Sequence, residues 1–214
     1  MPPSGPGGTG ERDLTLFINE LNATWVRAAD RFSARVLTEL YAHASDDLVA
    51  FIETLDPLAD AMLPVSWAGA SASPQWLDIG REFTEIWHHG SQVREAVGAV
   101  PFPDSSWLRD VLQIAMHALP HAYRAVQPPR EDMSVVVRIT GRASGIWTLR
   151  RVGHAWDIDE GASSTGAATV AMSDETAWRL FFNALSPDAA QSLITLGGNS
   201  DLARPIFAAR AVIV

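Results

Sequence analysis

The sequence predicts an α+β fold: a helical bundle over residues 12–127, then a small α/β domain over residues 132–214 with an antiparallel sheet. Two observations predict it. Apolar residues recur at three-four spacing through the first part, the signature of helices with one buried stripe. After Gln127-Pro128-Pro129-Arg130-Glu131-Asp132, a stretch of linker composition, the period drops to two.

Residues 1–11 are rich in Pro and Gly and offer little to bury, so they read as a disordered tail. From Asp13 a helix is expected, with Leu14, Phe17, Ile18, Leu21, Trp25 and Ala28 on one face. Ser33 can cap a second helix that runs through Val36, Leu37, Leu40, Tyr41, Leu48, Phe51, Ile52 and Leu55. Ser45 is expected to interrupt it briefly, and Asp56-Pro57 to end it. Residues 56–75 form a long connection around Val65-Ser66-Trp67, and a loop of that length in a compact domain is often functional. A third helix is expected from about Trp76 to Ala96, closed by Gly98. A fourth, capped by Asp104 or Ser105, should span Trp107 to about Val126 with a bend at Pro120.

In the second part, Val135, Val137 and Ile139 alternate with Val136, Arg138 and Thr140. Turns at Gly141–Gly145 and Gly153 then give a three-stranded antiparallel meander through Ile146–Arg150 and Ala155–Ile158. Ala168–Met172 reads as a fourth strand. Ser173-Asp174-Glu175 opens a helix that carries Trp178, Phe181, Phe182 and Leu185 inward. Asn199 or Ser200 opens the last one, toward Arg210.

Composition narrows the function classes. The formal net charge is -9 and no dense run of either sign occurs, which disfavours nucleic acid as a partner. No stretch of 18 apolar residues and no signal-like start are present, so no membrane span and a cytoplasmic location are expected. The chain has no cysteine, which removes disulfides, thiolate nucleophiles and cysteine-based zinc sites. Any thiol chemistry must bring its thiol from outside. All 16 basic residues are arginine, so a Schiff-base lysine is excluded as well.

The stretch that points to chemistry is Gly80-Arg81-Glu82-Phe83-Thr84-Glu85-Ile86-Trp87-His88-His89-Gly90. On a helix, Glu85 and His89 lie one turn apart on one face. A carboxylate oxygen and an imidazole nitrogen so placed can meet on one divalent ion about 2 Å from each. The same spacing also occurs on solvated faces as a modest side-chain pair. Two ligands hold zinc poorly, because catalytic sites use three protein ligands and an open position. His88 points about 100° away from that face. His117 and His121 share the spacing, with Pro120 between them, and read as structural or solvated. His43 has no local mark of a ligand, and His154 sits beside a turn. Trp67 and Trp87 read as core residues that could also line a pocket near the metal. No Gly-x-Ser-x-Gly elbow or phosphate-cradling glycine loop occurs.

The segment Trp76-Leu77-Asp78-Ile79-Gly80-Arg81-Glu82-Phe83-Thr84-Glu85-Ile86-Trp87-His88-His89, followed by Gln92-Val93-Arg94-Glu95-Ala96-Val97-Gly98, resembles the signature helix of mycothiol-dependent maleylpyruvate isomerases. Asn19-Glu20-Leu21-Asn22 with Trp25-Val26, Leu119-Pro120-His121-Ala122-Tyr123-Arg124 and Thr176-Ala177-Trp178-Arg179-Leu180 resemble the same group. The resemblance implies a DinB-like helical bundle and a sterol-carrier-like C-terminal α/β unit. It implies a divalent metal, usually zinc, held by two His and one Glu, with Glu85 and His89 as the second and third ligands. The first ligand of the family comes from an earlier Val-x-x-His-Leu helix, for which a Pro/Gly tail stands here. The expectation is therefore a shortened chain that lacks one ligand, since the neighbouring matches place His43 in a later helix. With a complete site, the metal would hold the thiol of mycothiol as thiolate for addition to, or displacement on, a small electrophile. Arg94, Arg204 or Arg210 could then pair with substrate carboxylates, although each reads first as an ordinary surface arginine. The competing expectation is a non-catalytic member that serves as a binding or dimerisation module. Its missing early helix would leave an apolar strip for homo-oligomer formation.

Overall fold

A computed structural model describes residues 11–69, 72–99, 105–128, 130, 133–161 and 166–212. Of the tail expected over residues 1–11, residues 1–10 lie outside them, as do the cap expected at Asp104 and part of the linker at 127–132; Glu11 already belongs to the first helix. The chain divides into two compact units, Met1–Pro57 and Leu58–Val214.

The first unit holds two helices of equal length, α1 (Glu11–Ala29) and α2 (Ala34–Ile52). Ser33 caps α2 as its position suggested: its Oγ accepts from the Val36 amide at 3.3 Å. The interruption expected at Ser45 does not occur; α2 is continuous there. Ser45 is flanked by Ala42, Ala44, Leu48 and Val49, and one residue of middling propensity does not break such a run. No described side chain of residues 16–57 is buried.

The second unit begins with a loop stapled at its base. Ala61 N donates to Ser73 O and Gln75 N donates to Ala59 O, both at 2.8 Å. The loop buries Val65 and Trp67, the latter on a 3-10 turn at Ser66–Ala68. The helix expected next is present as α3 (Gln75–Ala96), and Gly98 follows it at φ 67°, a left-handed conformation that suits glycine.

The fourth helix is a correction. In place of one bent rod there are two pieces, α4 (Ser105–Ala115) and α5 (Ala118–Ala122). A proline ring collides with the carbonyl four residues back, which for Pro120 is that of Met116. The break accordingly sits at Met116–His117, and Met116 O accepts from Leu119 N at 3.0 Å instead. Pro120 itself lies in the first turn of α5, where no amide is needed.

The sheet has five strands: β1 (Ser134–Thr140), β2 (Gly145–Val152), β3 (Ala155–Glu160), β4 (Ala168–Ser173) and β5 (Thr195–Gly198), in the order β3-β2-β1-β4-β5. The β1–β2–β3 meander is antiparallel as expected. β4 runs parallel to β1, and β5 antiparallel to β4, so the sheet is mostly rather than wholly antiparallel. Val135, Val136 and Val137 are all buried, which shows that β1, the middle strand, is covered on both faces. The remaining elements are α6 (Asp174–Phe181), α7 (Pro187–Leu193), α8 (Ser200–Ala203) and a closing 3-10 turn at Arg204–Ala208. The architecture is α+β.

Polar anchors fix the helices of this unit on its sheet. Trp147 Nε1 of β2 donates to Gln113 Oε1 of α4 at 2.9 Å, and Trp156 Nε1 of β3 donates to Val126 O at 3.1 Å. Trp147, Trp178, Tyr123, Phe181, Leu112 and Met116 are the largest fully buried side chains. The core therefore gathers α4, α5, α6 and the sheet together.

Candidate functional site

The buried face of α3 carries Leu77, Gly80, Thr84, Trp87, His88 and Ser91. Trp87 meets Trp178 edge-on, with ring centroids 5.2 Å apart. Trp67 and Trp87 are thus core side chains. A second stripe on α3, Ile79, Phe83, Ile86, Gly90 and Val93, has the four-three spacing of a helix seam and ends with Ile86 and Val93 exposed.

Glu85 and His89 sit beside that second stripe, and the structure brings them together as their spacing predicted. His89 Nε2 is 3.3 Å from Glu85 Oε2. The other ring nitrogen, Nδ1, lies 2.8 Å from Gln92 Oε1. An amide oxygen only accepts, so this contact pairs with a ring that carries a proton on Nδ1, whereas the carboxylate contact pairs with a ring protonated on Nε2; the tautomer decides between them. Gln92 is the residue that motif reasoning passed over, although the spacing His89 to Gln92 is visible in the sequence. Burial raises the Glu85 pKa above its ordinary value, opposed by the charges of His89 and Arg81. Arg81 itself pairs with Asp78 at 2.8 Å and Glu82 at 2.9 Å.

A zinc site needs a third side chain, and none joins them among the described residues. Among the described residues no group of three His, Asp or Glu side chains converges to hold a metal ion. Two ligand atoms with one orienting amide do not close a tetrahedral site, so the residues present do not fit a resident zinc by themselves.

The other histidines have separate surroundings. His43 is exposed on α2, with Nε2 3.9 Å from Asp47 Oδ2. His88 is buried and stacks on Phe182 at 5.0 Å and 19°, and burial lowers its pKa. Its Nδ1 has no hydrogen-bond partner among the described residues. His117 packs edge-on against Trp76 at 5.2 Å, and burial lowers its pKa too. His121 lies against Gly69, whose φ is 74° and where a Cβ would fall 2.1 Å from Nδ1. His154 is exposed. Of the three arginines considered for carboxylate recognition, Arg210 donates to Asn183 Oδ1 at 3.0 Å and to the carbonyls of Phe207 and Ala209.

No family model and no curated protein matches the chain. Solved structures similar to part of it are sterol carrier domains. Sterol carrier protein 2 like 2 from Aedes aegypti is 19% identical with a TM-score of 0.35, over 45% of this chain and 94% of that one. Sterol carrier protein domain 2 of Helicoverpa armigera is 19% identical with a TM-score of 0.29, over 48% of this chain and 78% of that one. Similarity at this level assigns no ligand, and the α+β description rests on the strand pairings themselves. Among the described residues no helix is long and apolar enough to cross a membrane.

Proposed function

We propose that the chain is a non-catalytic binding and self-association module related to the maleylpyruvate isomerase scaffold. One observation carries this reading: two amphipathic helices, α1 and α2, leave their apolar stripes without a single buried side chain among residues 16–57. Trp25 is 69% exposed and Tyr41 65%. Large aromatic side chains left in water along a helix face mark a surface that another surface covers. The incomplete ligand set on α3 points the same way, since a scaffold that binds without catalysing needs no third ligand.

A second reading, a metal-dependent and mycothiol-using transferase or isomerase acting on a small electrophile, draws support from the Glu85–His89–Gln92 arrangement. It requires a further ligand from outside the described residues, and a thiol that the cysteine-free chain does not contain. Elemental analysis of the purified full chain separates the two. The module reading expects well under one zinc per chain, with metal content and melting temperature unaffected by loss of metal-ligating atoms in His89→Ala. One zinc per chain, lost in both Glu85→Ala and His89→Ala, supports the enzyme.

A further inference from the structure

Strand alternation gives the sheet two faces with different contents. Val135, Val137 and Ile139 of β1 lie in the core with the helices, so Val136, Arg138 and Thr140 belong to the opposite face. The register extends that face sideways. Arg138 stands between Ile146 of β2 and Ala171 of β4, and Val136 between Thr148 and Thr169. Gly166, on the connection from β3 to β4, lies over it: a Cβ there would fall 2.8 Å from Val136 Cγ2.

Arg138 is half-buried on the middle strand of the sheet. Partial burial takes water from a fixed positive charge, which then calls for an acceptor. Arg81, Arg109, Arg150 and Arg179 each have a carboxylate. Arg138 makes no hydrogen bond or ion pair among the described residues. Its flanking side chains, Ile146 and Ala171, are apolar. The acids in register on this face, Asp157 and Asp159, stand on β3, two strands away, and Asp159 pairs with Arg150. Asp174, just past β4, accepts from the amides of Ala143 and Glu175. Residues 161–167, Gly-Ala-Ser-Ser-Thr-Gly-Ala, bring no acid in their sequence. On the diagonal from Arg138, Thr169 offers a hydroxyl that β5 leaves uncovered. The residue opposite it is Gly197, where a Cβ would fall 2.5 Å from Thr169 Oγ1.

We propose that Arg138 anchors a binding site for a small monocarboxylate on this face of the sheet, with the Thr169 hydroxyl as second donor and Ile146 and Ala171 against the apolar part of the ligand. The planar guanidinium fork matches a carboxylate with two parallel hydrogen bonds. One cation balances one negative charge. A phosphate dianion would leave a charge uncompensated on a chain whose formal net charge is already -9. The proposal adds a ligand to the binding-module reading and rests on it only in taking the chain as non-catalytic.

The test is a titration of the full-length protein with sodium benzoate at constant ionic strength, followed by proton–nitrogen correlation spectra. The Arg138 side-chain Nε–H signal and the Ala171 amide should shift saturably, and the neutral isostere benzamide should leave both in place. Arg138→Met keeps the apolar stem and removes the fork, so it should bind benzoate at least about tenfold more weakly. Arg142→Met, at an exposed position in the next turn, should bind as the wild type does. Absence of a saturable shift at Arg138 overturns the proposal, and the wild-type spectra decide this even if Arg138→Met fails to fold. An equal response to benzamide, full binding by a folded Arg138→Met, or tighter binding of inorganic phosphate than of benzoate overturns it too. Sedimentation and metal content, which test the module reading, do not depend on Arg138, so the two can fail separately.

Discussion

His88 shows how one position can look like chemistry and serve packing. Its neighbour His89 faces Glu85, yet the 100° between successive helical residues turns His88 into the core, onto Phe182. A buried imidazole without a partner for Nδ1 favours the neutral form, and its pKa is lowered from 6.5 by burial. Above pH 6.5 the folded and unfolded chains are both neutral there and nothing is lost. As pH falls below 6.5 the unfolded chain takes the proton first, so stability drops toward the depressed folded value. His117, lowered in the same direction, adds to this. Replacing His88 by Phe keeps the ring on Phe182 and removes the titration. His88→Phe should therefore show a smaller fall in melting temperature between pH 7 and 5 than the wild type, measured by circular dichroism; an unchanged or steeper fall contradicts this account. The Glu85–His89 pairing was legible from spacing, because helix geometry is local. That no third ligand joins them among the described residues was not, because convergence of side chains from different elements is a property of the tertiary structure.

Elements were legible where the signal is carried by adjacent residues. Ser173 is the plainest case: Ser-Asp-Glu marks a helix start, and Ser173 Oγ accepts from Thr176 N at 3.1 Å at the head of α6. That cap orients Trp178, Leu180 and Phe181 into the core. Ser173→Ala should cost about 1 kcal/mol in urea unfolding, with the slope unchanged; no measurable loss would mean that packing alone holds the helix. Two elements went unread. α7 has a local signal in Ser186-Pro187, a capping serine before a proline at the first helical position. β5 has almost none: Thr-Leu-Gly-Gly is short and glycine-rich, and it exists because β4 offers an open edge. The parallel pairing of β4 with β1 was likewise invisible, since period two reports burial and not direction. Pro120 was seen, but its effect falls four residues upstream, at Met116.

For the whole molecule, the sequence's change of period near residue 130 and the division of the structure report different things. The period marks where helices give way to strands. The division at Pro57 separates two units: α3, α4 and α5 belong with the sheet in one, while no described side chain of residues 16–57 in the other is buried. On the proposed reading, α1 and α2 are the adhesive part of the chain. The measurement that tests it most directly is sedimentation equilibrium of the full chain beside residues 58–214, at matched concentrations. A dimeric full chain and a monomeric 58–214 is the predicted result. Equal association of both, or a full chain that stays monomeric throughout, contradicts it.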